Sequence, residues 1–326
     1  RKVMAPTILD ARGRSPCWHT STMRAASYAA FGGPISIEEV AVPTIGDRDA
    51  RIEVRATGVC RSDWHGWRGH DPDIATFPHV PGHEFAGVVS AVGGEVTRWS
   101  PGDRVVAPFI AGCGRCEQCS SGNSQVCPDQ TQPGFTHWGS FAEEVVVHHA
   151  DANLVALPPT IDFETAAPLG CRFSTAYRAL VDQGGLVAGE RVAVYGCGGV
   201  GLSAVMIAVA LGAEVVGIDP RADARALASS VGAAEVLDPD EARRRLPGLA
   251  GGPHLTIDAF GSPEVVGAAV ASLRPLGRHV QIGLLPRPAA FESVPAALLI
   301  GKELSIVGSH GMSTAGLEAL VGMVEA

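Results

Sequence analysis

The chain has 326 residues with 34 acidic and 25 basic side chains, a net charge of −9, 46% hydrophobic and only 6% aromatic content. An acidic chain without a basic run is a poor ligand for nucleic acid or an anionic membrane, no apolar run reaches the length of a membrane span, and the first 22 residues lack the apolar core of a secretory signal. A cytoplasmic, two-domain protein is expected, in which the eight cysteines read as metal ligands or reactive thiols before disulfides.

Residues 1–22 show no helix or strand period, and neither Cys17 nor His19 joins any motif; an unstructured extension is expected there. From Met23 the pattern becomes regular. Ile35–Val42 and Arg51–Ala56 alternate apolar with polar residues, as half-buried strands do. Glu84–Val92 and Arg104–Pro108 read as further strands around the turns Gly93-Gly94 and Pro101-Gly102-Asp103. This half is β-rich.

Within it lie Cys113, Cys116, Cys119 and Cys127, spaced C-x2-C-x2-C-x7-C. Four thiolates suit the tetrahedral preference of a structural zinc, and Gly112, Gly114, Gly122 and Pro128 supply turns that let one loop wrap an ion. The alternatives are an iron–sulfur cluster or free thiols. A saturated set leaves no position for substrate.

After Pro158-Pro159 the character changes. Glu164–Ala179 has helical spacing. Strand candidates Arg191–Tyr195, Glu214–Asp219, Leu255–Ala259, His279–Gly283 and Leu304–Gly308 then alternate with Ala-rich helices, the last being Thr314–Ala326. Such alternation predicts a doubly wound parallel sheet. The acids Asp238, Asp240 and Glu241 flank Arg243–Arg245, which reads as a solvated helix face. The segment Gly196-Cys197-Gly198-Gly199-Val200-Gly201 is a G-x-G-x-x-G between a strand and a helix, the context in which that motif binds a dinucleotide. Gly196 permits the tight turn, Gly198 lets backbone approach the pyrophosphate, and Gly201 packs helix on strand. Asp219 ends the next strand, 18 residues after Gly201. A carboxylate there bonds ribose hydroxyls and repels a 2′-phosphate, favouring NAD over NADP. Alternatively Asp219 only caps the following helix, with Pro220 at its first position, and Arg221 and Arg225 stand close by.

Three short motifs remain: Gly58-Val59-Cys60-Arg61-Ser62-Asp63-Trp64-His65, Pro81-Gly82-His83-Glu84 and Leu169-Gly170-Cys171-Arg172-Phe173-Ser174-Thr175. Each alone is weak. In this order, beside the four-cysteine loop, they resemble the zinc-dependent alcohol dehydrogenases of the medium-chain dehydrogenase/reductase superfamily, from about Met23 to the end of the chain. The resemblance implies a GroES-like catalytic domain over 23–171, a Rossmann domain over 172–311, and 312–326 as the start of a return segment that family members continue by a few dozen residues. It implies two zinc ions per chain. The catalytic one would be held by Cys60, His83 and Cys171 with one open position, Glu84 lying behind it and Asp63 orienting the histidine; Cys113, Cys116, Cys119 and Cys127 would hold the structural one. Ser62 and His65 match a hydroxyl-to-imidazole proton relay, the alternative for His65 being a surface imidazole. Phe109 matches a pocket wall, and Trp64 with Trp67 are further candidates for it. Arg61 matches a pyrophosphate contact, and Ile282 and Leu284 the strand end behind the nicotinamide, with Gly199 and Val200 in the phosphate loop.

The expected activity is reversible hydride transfer between a small alcohol, or its aldehyde or ketone, and NAD. Polyol, threonine or formaldehyde–thiol oxidation on the same architecture is the alternative, as is a catalytically silent nucleotide-binding relative. Relatives assemble as homodimers or homotetramers, which points to the strand around Ile300–Gly308 as an interface. Arg172 stands where many relatives have glycine.

Overall fold

The computed structural model describes residues 21–249, 251–285 and 292–325. The expectation for residues 1–22 therefore lies, except for the last two, outside the described residues.

The chain opens with an antiparallel hairpin, β1 (Thr22–Ser27) and β2 (Ser36–Ala41). A five-stranded antiparallel sheet follows, in the order β6-β3-β4-β5-β7. Its members are β3 (Ala50–Thr57), β4 (Phe85–Val92), β5 (Arg104–Val106), β6 (Glu144–Val147) and β7 (Val155–Ala156). Alternating β-branched residues give this sheet one apolar face: Ile52, Phe85, Val89, Val105, Val145 and Val147 close on Trp99 and Leu154. The reading of Ile35–Val42 as half-buried fails. Strand β2 pairs only with β1, and Ile37 is 71% exposed. Period-two alternation reports strand geometry, whereas burial needs a second layer, and none of the described residues covers this face.

The second half is the doubly wound sheet expected from the alternation. Six parallel strands run in the order β10-β9-β8-β11-β12-β13: β8 (Arg191–Tyr195), β9 (Glu214–Ile218), β10 (Glu235–Leu237), β11 (Leu255–Asp258), β12 (Arg278–Gln281) and β13 (Ser305–Gly308). Val192, Val194, Val215, Leu255, Ile257 and Val280 are fully buried beneath Ala204, Val205 and Ala208 of helix Gly199–Ala210. Continuous apolar strands between helical layers are what a parallel sheet demands. Strand order reverses between β8 and β11, so a crevice opens at their carboxyl ends.

Helix Thr314–Glu325 leaves this sheet and packs Leu317, Leu320 and Val321 against Val155, Leu157 and Ile161 of the β-rich half. The predicted helix 164–179 is broken. It forms Phe163–Ala166, a 3-10 turn Ala167–Gly170, and Arg172–Arg178. Pro168 and close backbone contact interrupt it: a Cβ on Gly170 would lie 2.3 Å from the Ala107 carbonyl oxygen. The interruption leaves Cys171 at φ −130°, ψ −84°, outside the helix.

Several buried and half-buried imidazoles should make the fold acid-sensitive. Burial, then the neighbouring His148 (rings 4.3 Å apart), pushes His137 down to about 4, while its Nε2 faces the Val146 carbonyl at 3.0 Å. His79, His148, His279 and His310 are pushed the same way by burial. Between the usual histidine range and about 4, the unfolded chain binds a proton that folded His137 refuses. Stability present above that range is lost as pH falls through it, on the order of 3 kcal/mol for this residue. Urea midpoints at pH 7 and pH 4.5 should therefore diverge less in His137→Gln than in the wild type; equal divergence would remove His137 from the explanation.

Candidate active site and cysteine-rich metal centre

The four-cysteine loop closes on itself. Its sulfurs all lie within 4.8 Å of one another. Cys116 Sγ accepts from the Cys119 amide at 3.5 Å and Cys127 Sγ from the Cys113 amide at 3.3 Å. Backbone N–H groups of Arg115 and Cys116 lower the Cys113 thiol to about 6, whereas burial drives Cys119 up to about 12. A cluster that holds one thiolate at the expense of its neighbours is a donor set suited to a thiophilic dication, which would take all four as thiolates. Asn153, fully buried, anchors the loop entrance: Oδ1 accepts from the Gly112 amide at 2.9 Å, and Nδ2 donates to the Gly112 carbonyl at 2.8 Å. No sequence signal marked Asn153, because its partners are backbone atoms.

The fold also joins three dispersed motifs. Ligand atoms of Cys60, His83 and Cys171 lie within 4.8 Å of one another. Cys60 precedes helix Arg61–Trp67, His83 precedes β4, and Cys171 sits on the helix break. Asp63 fastens the first two. Its Oδ2 accepts from the Cys60 amide at 2.8 Å, and its Oδ1 accepts from the Gly82 amide at 3.1 Å and faces His83 Nδ1 at 3.0 Å. That contact leaves Nε2 as the free nitrogen of His83 for a metal. A hydrogen bond from Cys171 is the main reason Cys60 falls to about 3, and the same contact drives Cys171 well above the usual thiol range. Burial pushes His83 down, but Asp63 and Cys60 outweigh it and raise the imidazole to about 10. Two sulfurs and one nitrogen, desolvated and competing for protons, fit a zinc ion that leaves a fourth position open.

Glu84 lies behind this set with no solvent exposure. Its Oε1 accepts from Arg172 Nε at 2.6 Å, and Oε2 has no partner. This contact accounts for Arg172. Gly58 makes room for it, since a Cβ there would stand 2.7 Å from both the Arg172 guanidinium and Glu84 Oε1. The pairing was not legible in sequence, because 88 residues separate the partners.

A cavity of about 200 Å³ opens above the three ligands. Phe109, Phe135 and His310 line it, as do Val200, Ile282 and Leu284. Ser62, His65 and Arg61 also line it. Phe135 and His310 were not anticipated; neither sits in a recognisable motif. Trp64 is not brought to the cavity wall. It is 38% exposed beneath the Arg61 guanidinium, 4.0 Å from the ring centre. Trp67 points elsewhere too, donating from Nε1 to the Gly33 carbonyl at 2.8 Å. Ser62 Oγ lies 3.9 Å from Cys60 Sγ, and the contact made by His65 is with His70, not with Ser62.

The glycine-rich turn meets the same crevice. Gly196 has φ +92°, a left-handed conformation costly for any other residue. A Cβ on Gly201 would lie 1.7 Å from the Gly196 carbonyl oxygen, whereas one on Gly198 would meet nothing within 4 Å. The first two constraints come from the chain itself. The open backbone at Gly198, beside the N-terminus of helix Gly199–Ala210, is what a pyrophosphate requires. Asp219 does not cap the next helix, which spans Ala222–Ser230 behind Arg221. Instead its Oδ2 accepts from the Cys197 amide and its Oδ1 from the Arg221 amide, both at 2.9 Å. Arg221 Nε is 3.7 Å from Oδ1, and Arg225 donates to the Asp219 carbonyl.

The comparisons with known proteins agree with this geometry. Residues 46–159 match the family model described as the alcohol dehydrogenase GroES-like domain, and residues 199–326 that described as zinc-binding dehydrogenase. An alcohol dehydrogenase of Geobacillus stearothermophilus is 35% identical over 292 residues, 88% of this chain and 84% of that protein. An alcohol dehydrogenase from Thermus sp. ATN1 superposes with a TM-score of 0.83 and 32% identity over 93% of this chain and 89% of that one. A dehydrogenase described as zinc-binding from Sinorhizobium meliloti 1021, bound to NADP, superposes at 0.82 with 29% identity over 94% and 90%. No helix of the described residues is long and apolar enough to cross a membrane.

Proposed function

The chain belongs to the zinc-type alcohol dehydrogenases of the medium-chain superfamily, and on that premise we propose that it interconverts a small alcohol and its aldehyde or ketone with NAD as hydride acceptor. The observation that carries this reading is the convergence of Cys60, His83 and Cys171 at a cavity that Val200, Ile282 and Leu284 also line. When bound, zinc at the three ligands supplies Lewis acidity to a substrate oxygen, and the dinucleotide supplies the hydride acceptor.

The protein's own residues do the remainder. Asp63 fixes the orientation of Cys60 and His83. Phe109 and Phe135, packed against the His83 ring at 5.9 and 5.3 Å, keep water from the ligands and favour an apolar substrate body. Arg172 holds the buried Glu84 carboxylate away from solvent. Ser62 and His65 carry the substrate proton outward, and Arg61 neutralises pyrophosphate charge. Cys113, Cys116, Cys119 and Cys127 keep the second zinc as a structural brace. The edge strand β13 supports assembly as a homodimer or homotetramer by sheet extension, although the strand expected around Ile300–Gly308 begins only at Ser305 and the exposed Ile300 sits on the helix Ala296–Gly301 before it.

The test is zinc content per chain beside NAD reduction with a panel of small alcohols. Two zinc ions with turnover support the reading; a full metal complement with dinucleotide binding and no turnover would replace it with a silent nucleotide-binding protein. Preference for NAD rests on Asp219, which would repel a 2′-phosphate. Asp219→Ala should weaken NAD about ten-fold and narrow the NAD/NADP ratio of kcat/KM by a similar factor, one hydrogen-bonded charge's worth. An unmoved ratio would confine Asp219 to holding the Cys197 and Arg221 amides.

A further inference from the structure

On the outer side of helix Arg61–Trp67 two histidines meet. His65 Nδ1 and His70 Nδ1 lie 3.0 Å apart, a hydrogen-bond distance at which one nitrogen donates and the other accepts. The backbone sets the pair, since the His70 amide donates to the His65 carbonyl at 3.0 Å. Trp64 meets both rings edge to face, with centroids 4.9 Å and 5.7 Å away. The two imidazoles differ in surroundings. His65 lines the cavity, whereas His70 is exposed and is not part of the cavity wall. The contact thus joins the cavity to bulk water, and each ring's Nε2 stays outside it.

We propose that His70 is the outer half of a two-imidazole proton wire that delivers to solvent the proton arriving at His65 in each alcohol oxidation. The inference rests on the dehydrogenase reading and deepens it. Oxidation of an alcohol by NAD yields the carbonyl compound, NADH and one proton. That proton binds His65 at Nε2. The proton already on His65 Nδ1 crosses to His70 Nδ1, and the proton on His70 Nε2 leaves to water. One proton enters, one departs, and no electrons move along the pair. Carbonyl reduction runs the sequence backwards.

The surroundings favour passage over storage. Burial, then the Arg61 charge and His70 itself, hold His65 below the usual imidazole range, against a smaller opposite pull from Cys60. Arg68, whose guanidinium is 5.9 Å from the Trp64 ring centre, adds positive charge, and Asp71, which lines the cavity, and Asp63 on the same helix add carboxylates. An imidazolium at His65 is poorly held, so an adjacent acceptor speeds its discharge.

The test uses the zinc-loaded enzyme and His70→Ala, an exposed position. Stopped-flow mixing with NAD and alcohol, followed by a pH indicator in weak buffer, should show proton release about ten-fold slower than in the wild type, less than the ~10²-fold of a residue that transfers the substrate's own proton, because His65 can still discharge slowly to water. Added imidazole should restore it. His70→Gln, which keeps a polar side chain but cannot carry a proton, should match the alanine variant. In the substrate-free protein, the His65 ring-nitrogen resonances should shift in both variants. Equal release rates in all three proteins, a loss that imidazole does not rescue, or unmoved His65 resonances would each overturn the wire. So would a third zinc per chain that His70→Ala removes, since the pair would then be metal ligands. A wild type that fails to reduce NAD with any of the alcohols would sink the dehydrogenase reading instead, and the resonances would still decide the contact.

Discussion

Cys171→Ala should lower kcat/KM for alcohol oxidation by about 10³-fold and leave one zinc per chain where the wild type holds two. The argument begins with the ligand set. A catalytic zinc needs three protein donors, and removal of a buried thiolate leaves two. Cys60 and His83 would stay in place because both are tied to Asp63, so the loss falls on metal affinity and not on the fold around it. Lewis-acid stabilisation of charge on a reacting oxygen is worth several kcal/mol, and about 4 kcal/mol corresponds to three decades in rate. The four-cysteine loop keeps its own donors and its anchor on Asn153. Metal analysis beside steady-state kinetics checks both halves. Unchanged turnover would remove Cys171 from the ligand set, and loss of both ions would mean that the two centres are not independent.

How much of this arrangement could be read in sequence depends on how local each constraint is. Five of the six parallel strands were legible because burial leaves an uninterrupted apolar run, as in Val192–Val194; the three-residue β10 was too short to show one. The four-cysteine loop was legible because its ligands lie within 15 residues. The ligand triad needed resemblance, since no spacing rule links Cys60, His83 and Cys171. Resemblance did not reach the features peculiar to this chain. Arg172 finds Glu84 only because Gly58 leaves the space between β3 and helix Arg61–Trp67 empty. Trp64 was a plausible pocket wall by position, yet a seven-residue helix beginning at Arg61 turns it outward towards Arg61 and the two histidines. The break before Cys171 was missed because Glu164–Ala179 has helical spacing throughout, although Pro168 was there to be read; the second interruption, the Ala107 backbone, is 63 residues upstream of Gly170 and invisible to periodicity. Strand β2 shows the converse, a pattern that promised burial where none of the described residues forms a second layer over it.

The glycine-rich turn allows the chain's own needs to be separated from the cofactor's, through two alanine substitutions with different expected outcomes. Gly201→Ala should lower NAD affinity about 100-fold and lower the melting temperature as well. Its new Cβ would stand 1.7 Å from the Gly196 oxygen and 2.8 Å from that carbonyl carbon, far inside van der Waals contact, so the turn or the helix must move by an ångström or more. Gly196 can yield little, being held at φ +92° with its amide donating to Ile218 at 2.8 Å. The displacement falls on the amides at the start of helix Gly199–Ala210, and misplacement on that scale costs a positioned ligand about two decades. Gly198→Ala makes no internal clash, because nothing lies within 4 Å of its new Cβ, and its φ of −82° suits any residue. The melting temperature of that variant should be unchanged. Its NAD affinity should nevertheless fall, because the added methyl occupies the space through which the pyrophosphate approaches the backbone. Thermal melts and NAD titrations on both variants, with zinc content as a control that should not move, give the reading. If Gly198→Ala binds NAD as the wild type does, the open backbone at Gly198 is not the phosphate cradle, and the glycine pattern serves only the packing of helix on strand.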